Sequence, residues 1–164
     1  MNAQCLSLLV CILALRAFAQ ATPTVKQAPP PGISVPAADA EELNSRLKAL
    51  GNEIATLRQS VALLDLLPDV EVFHKAVHDA LTYDEFFKPT EISSAKTQLA
   101  TGLQRAEELR SLRPSWVSAR GSLVRAYRSK IDGSVQPYGL RVPEDWTPED
   151  KQPRPLYLLS LIHI

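Results

Sequence analysis

Between residues 39 and 67 the apolar side chains fall at Leu43, Leu47, Leu50, Ile54, Leu57, Val61 and Leu64. Their steps alternate four and three, which places all of them on one stripe of a helix. Read as heptads, Leu43, Leu50, Leu57 and Leu64 take d, and Leu47, Ile54 and Val61 take a. That choice of residues suits a parallel two-stranded coiled coil. Gly51 at an e position and the few complementary e/g charges favour instead the buried face of a helical hairpin within the chain. Leu67-Pro68 is expected to end this helix. A second helix is predicted over residues 70–83, capped by Asp69, with Val70, Phe73, Val77 and Leu81 on its inner face. Lys88-Pro89-Thr90 marks a break, and Thr90 is expected to cap a third helix. Its inner face uses Ile92, Ala95, Leu99, Leu103 and Ala106, with Leu109 or Leu112 beyond. Glu107 and Glu108 with Arg105, Arg110 and Arg113 read as a solvated face, and Arg113-Pro114 ends the helix.

After Trp116 the period becomes strand-like. Two runs, residues 121–129 and 135–142, flank Asp132-Gly133, whose tolerance of positive φ predicts a tight hairpin turn. Pro137 confines part of the second run to an edge. Residues 144–154 are polar and broken by proline, and Pro155-Leu156-Tyr157-Leu158 begins a further apolar strand. The fold class expected is α+β: a helical hairpin or three-helix region over residues 39–115, then a β-hairpin and the start of a larger sheet over 116–158.

The two ends read differently from the middle. Residues 5–15 form an apolar run of signal-peptide length, and Ala17-Phe18-Ala19 offers the small-x-small site that signal peptidase accepts. Residues 1–19 are therefore expected to be a cleaved leader, with the protein secreted or periplasmic and no membrane span left after cleavage. The run is short of the roughly 20 apolar residues that a bilayer demands. Residues 20–38 contain Pro29-Pro30-Pro31-Gly32 and Val35-Pro36, which predict an extended tether. The six residues Leu159-Ser160-Leu161-Ile162-His163-Ile164 match the translation of a transposon-end sequencing adapter and are set aside from the fold.

Composition narrows the function. The 164 residues carry 18 Lys plus Arg and 18 Asp plus Glu, a balance that argues against nucleic acid as a partner. Both cysteines, Cys5 and Cys11, lie in the leader, so the mature chain has no thiol for a disulfide or a metal. His74 and His78 stand at i and i+4, a spacing that can present two imidazoles to one metal. A third ligand would have to be Asp79, Asp84 or Glu85, and the pair reads as partly exposed surface histidines. Ser122 and Ser134 each follow a glycine and read as strand and turn serines. Trp116, Tyr138 and Trp146 read as hydrophobic anchors. No residue of the chain is assigned a catalytic, cofactor-binding or metal-binding role, and no cofactor is expected.

The string Tyr127-Arg-Ser-Lys-Ile-Asp-Gly-Ser-Val-Gln-Pro-Tyr-Gly-Leu-Arg-Val-Pro143, followed by Arg154-Pro-Leu-Tyr157, resembles the entry to secreted bacterial α/β-hydrolases of the prolyl-oligopeptidase type. Leu67-Pro-Asp-Val-Glu-Val-Phe-His-Lys-Ala-Val77 and Tyr83-Asp-Glu-Phe-Phe87 are similar to the helical segment that precedes it there. The likeness spans about residues 40–158. It implies a serine hydrolase, peptidase or esterase, with a Ser nucleophile on a Gly-x-Ser-x-Gly elbow and Asp and His later in the chain. The sequence has no Gly-x-Ser-x-Gly. The expectation is thus a truncated N-terminal portion of an exported hydrolase, inactive by itself, whose parent acts on a peptide or ester. In that reading Leu156-Tyr157-Leu158 opens the first strand of the hydrolase sheet. Two alternatives stand beside it: an exported helical adaptor that forms a homodimer through the stripe from Leu43 to Leu64, and a binding module on a helical stalk.

Overall fold

The computed structural model describes residues 31–149, 151 and 153–155. The expected leader, most of the expected tether, the strand expected at Leu156 and the terminal six residues fall outside the described residues. From Gly32 onward the described chain belongs to one unit with a common core. The architecture is α+β, three helices and a two-stranded antiparallel sheet: α1 (Ala37–Leu57), α2 (Pro68–Thr82), α3 (Pro89–Arg110), β1 (Gly121–Arg128) and β2 (Val135–Val142).

Helix α1 follows from the stripe. Leu43, Leu47, Leu50, Ile54 and Leu57 are all buried, packed with α2 and α3. Each such side chain contributes about 1.5–3 kcal/mol when taken from water. The stripe therefore serves the inside of this chain. The helix stops ten residues earlier than the Leu67-Pro68 signal implied: Val61–Leu63 is a short 3₁₀ turn, Val61 is 83% exposed, and Leu64 is exposed too. Pro68 begins α2, where a missing N–H costs nothing because first-turn amides have no partner within the helix. No helix among the described residues is long and apolar enough to cross a membrane.

Helix α3 lies across both others, with Ile92, Ala95, Leu99, Ala106 and Leu109 buried. Its start is closed by Glu91, not by Thr90: the Glu91 carboxylate accepts from the backbone N–H of Phe87 (2.7 Å) and of Lys88 (3.2 Å). Gly102 allows the close crossing, since a Cβ there would lie 2.7 Å from Leu50 Cδ2 and 3.0 Å from Phe73 Cβ. At the other end the chain turns through Leu112, whose φ is +59°. The N–H of Arg113 bonds the carbonyl of Glu108 (2.8 Å) and the N–H of Leu112 that of Leu109 (3.1 Å), the paired bonds of a Schellman ending. Leu112 is consequently exposed, not part of the inner face.

The hairpin pairs Gly121 with Val142 through to Arg128 with Val135. Its connection is longer than a two-residue turn. Ser129 N–H bonds Ser134 O (2.8 Å) and Gly133 N–H bonds Ser129 O (3.0 Å). Gly133 takes positive φ, but Asp132 does not; its carboxylate accepts from Ser134 N–H (3.1 Å) and hydroxyl (2.7 Å). Those bonds hold the Asp132 carboxyl down at about 2. Ahead of α1, Ile33 N–H bonds Phe86 O (2.6 Å), and Ile33 and Val35 pack against the core.

Candidate functional site

The first turn of α2 places two carboxylates, Asp69 and Glu71, inside the protein, with relative exposures of 1% and 4%. Buried carboxylates are tolerated only when charge and hydrogen bonds answer them, and here every answer but one comes from the chain that follows α3. Asp69 does not cap α2. Its Oδ2 accepts from the Trp116 indole (3.1 Å) and from Arg125 Nε (2.9 Å), while Oδ1 accepts from the backbone N–H of Ala126 (2.7 Å). Glu71 accepts from Arg58 through Nε (3.0 Å) and Nη2 (2.6 Å), and from Arg128. The N-terminal position on α2 adds a favourable helix dipole to both.

Arg105, which the charge pattern placed on a solvated face, is buried instead. Its guanidinium lies 4.9 Å from the Phe73 ring centre and 5.0 Å from that of Trp116, within range of a cation–π interaction on both sides. Nη1 donates to Asp69 O (3.1 Å) and to Val124 O (3.0 Å). Burial pushes Arg105 below the ordinary guanidinium value, and the Asp69 charge opposes that shift. Trp116 is delivered by the short turn Ser115–Val117, which Glu108 holds by accepting from Ser115 N–H (2.9 Å) and Oγ (2.6 Å). The Ser115 hydroxyl is the main reason that the Glu108 carboxyl lies below its ordinary range.

These bonds decide how the hairpin ends at its sides. In an antiparallel ladder, the N–H and C=O of one residue point to the same side, and alternate residues point away from the partner strand. The Ala126 N–H and Val124 C=O point away from β2, and Asp69 and Arg105 satisfy them as a neighbouring strand would. Pro137 sits opposite Ala126, so its missing N–H also falls on the outward side and breaks no bond with β1. The outward edge of β2 meets no strand among the described residues.

Beside the same arginines runs an open groove of about 660 Å³ between the α1–α2 connection and β1. Arg58 and Arg128 are half-exposed there. Tyr127 is exposed and lies 6.3 Å from Tyr138 between ring centres. Tyr138 is therefore an exposed ring on the sheet and not an anchor, while Trp116 is an anchor with a polar function added.

The remaining sequence candidates stay apart from this cluster. The His74 and His78 rings stack with centres 5.9 Å apart, and His78 Nδ1 meets Asp79 at 3.1 Å. Burial, helped by repulsion from His78, pushes His74 below the ordinary imidazole value. No group of three His, Cys, Asp or Glu placed to hold a metal ion occurs among the described residues. The Ser122 hydroxyl accepts from Arg141 Nη1 (3.1 Å) and Ser134 Oγ donates to Asp132; both serve the hairpin. Comparison of the chain with protein-family models, with curated proteins and with solved structures finds no match.

Proposed function

We propose that the chain is the N-terminal portion of an exported serine hydrolase of the prolyl-oligopeptidase type, peptidase or esterase, with nucleophile, base and acid supplied by sequence further along. In this reading α1–α3 form a layer that fixes the orientation of the hairpin, and the hairpin is the outermost piece of a larger sheet. The observation that carries it is the unequal treatment of the two strand edges. On the outer edge of β1, Asp69 accepts from the Ala126 N–H and Arg105 donates to the Val124 carbonyl, whereas among the described residues no side chain answers the outward backbone groups of β2 at Gly139 and Arg141. A two-stranded hairpin is marginal alone, and an edge left unpaired is a template for another strand. The string from Tyr127 to Pro143 supports the same reading from the sequence side. Burial of the Leu43–Leu57 stripe within the chain weighs against the adaptor alternative, since a zipper would have to unpack this core.

The test compares the 164-residue chain with the product of the uninterrupted natural gene, using activated esters, proline-containing chromogenic peptides and a fluorophosphonate label. The full product should turn over substrate and take the label, and the chain alone should do neither. A natural reading frame without a Gly-x-Ser-x-Gly elbow would refute the proposal. So would turnover by the chain alone that survives Ser122→Ala and Ser134→Ala.

A further inference from the structure

Arg58 and Arg128 share one buried acceptor and face one open groove. Glu71 gives Oε1 to Arg58 and Oε2 to Arg128, and Arg128 Nη1 donates to Gly133 O at 2.9 Å. That leaves Arg58 Nη1 and Arg128 Nε with no partner among the described residues. Two guanidiniums on one carboxylate carry a net charge of +1, and both side chains are about half exposed (56% and 47%) where they line the groove. Leu64, Leu67, Pro68, Ala126 and Tyr127 complete the lining. Asp65 also lines the groove. With Asp65 counted, these four groups sum to zero, so a ligand's carboxylate is held by direct bonds to the guanidiniums and not by a net positive field, and a dianion such as a phosphate monoester is disfavoured.

We propose that this groove binds a small organic monocarboxylate, with the carboxylate at Arg58 and Arg128 and a flat apolar body against Tyr127 and Pro68. The chemistry fits in each part. Guanidinium N–H groups are the strongest donors that a carboxylate meets in proteins. A groove of this volume holds a ligand of drug-fragment size, with apolar lining and few polar groups to fix orientation. Because Glu71 already pins both guanidiniums, little side-chain entropy is lost when the anion arrives. The site is independent of whether the chain belongs to a hydrolase.

The test uses the 164-residue chain and 4-phenylbutyrate, titrated to about 10 mM and followed by amide chemical shifts, a range that reaches weak fragment binding. Saturable shifts at Ala126 and Tyr127 are expected. The neutral 4-phenylbutyramide and the dianion phenyl phosphate should each bind about tenfold more weakly, as should Arg58→Gln, the expected loss for one charge-assisted contact. Arg58→Gln leaves Glu71 paired with Arg128, and circular dichroism checks that the variant is folded. Tyr127→Ala provides a second variant, expected to weaken binding without touching the Glu71 cluster, and Arg46→Gln on α1 should change nothing. Absence of saturable shifts, equal binding of acid and amide, or unchanged affinity in both Arg58→Gln and Tyr127→Ala would overturn the proposal.

Discussion

Replacing Asp69 by alanine removes the acceptor for three donors at once. The Trp116 indole N–H and the Ala126 amide would each lose a bond inside the protein, a loss of about 1–3 kcal/mol apiece when water cannot substitute. The Arg125 side chain, 18% exposed, would keep its charge without its partner, and breaking a buried pair from one side costs about 3–5 kcal/mol. These contributions overlap, because water entering the vacated space would serve more than one donor. The working value is about 4 kcal/mol, a large fraction of the 5–15 kcal/mol typical of a domain. Asp69→Asn keeps the shape but offers one acceptor oxygen to three donors, so it should cost about 2–4 kcal/mol. Urea unfolding gives the total, and hydrogen exchange at the Ala126 amide reports the hairpin by itself. The double variant Asp69→Ala with Arg125→Leu should recover at least about 1 kcal/mol relative to the sum of the single changes, since no unpaired charge remains. A loss below about 1 kcal/mol for Asp69→Ala, or an Ala126 amide that exchanges as slowly as before, would refute the view that this carboxylate holds the hairpin to the helices.

Four further outcomes are expected. Leu57→Asp puts a charge in the core between α1 and its neighbours and should abolish helicity at every protein concentration; a soluble, helical product by circular dichroism and sedimentation would show that the stripe is not needed inside the chain. Gly102→Ala should lower Tm, as a Cβ meets Leu50 and Phe73 and overpacking costs about 1–3 kcal/mol. Leu112→Gly relieves a positive φ at an exposed position and should stabilise by about 1 kcal/mol in thermal unfolding. His74 has a folded-state pKa below its unfolded one, so the unfolded chain binds the proton more readily, and stability should fall as pH drops through the ordinary imidazole range. His74→Gln should flatten that slope between about pH 7 and 5 in denaturant titrations, and an unchanged slope would assign it to other groups.

The sequence alone determined the helices, the hairpin and most of the core, because periodicity is a local property of the chain. The alternation of four and three at Leu43, Leu47, Leu50, Ile54 and Leu57 specifies a buried helical face whatever covers it, and Pro89, Pro114 and Gly133 punctuate the chain by backbone sterics. The end of α1 was harder to read: Val61 and Leu64 keep the period, yet the chain leaves the helix at Leu57 and exposes them. The cluster around Asp69 and Glu71 belongs to tertiary structure. Asp69 next to Pro68 has every local mark of a helix cap, and Arg105 beside Glu107 and Glu108 has those of a solvated face. Burial reassigns both, since only contacts across 56 residues to Arg125 and 36 residues to Asp69 can answer their charges. One trace of this was present in the sequence: residues 119–142 hold five Lys or Arg against one Asp, facing a helical region rich in acid. That excess says that opposite charges can meet, but it does not say that Asp69 and Arg105 would bond the outward backbone groups of β1. Strand edges are satisfied by whatever the fold brings beside them, and that is decided only in three dimensions.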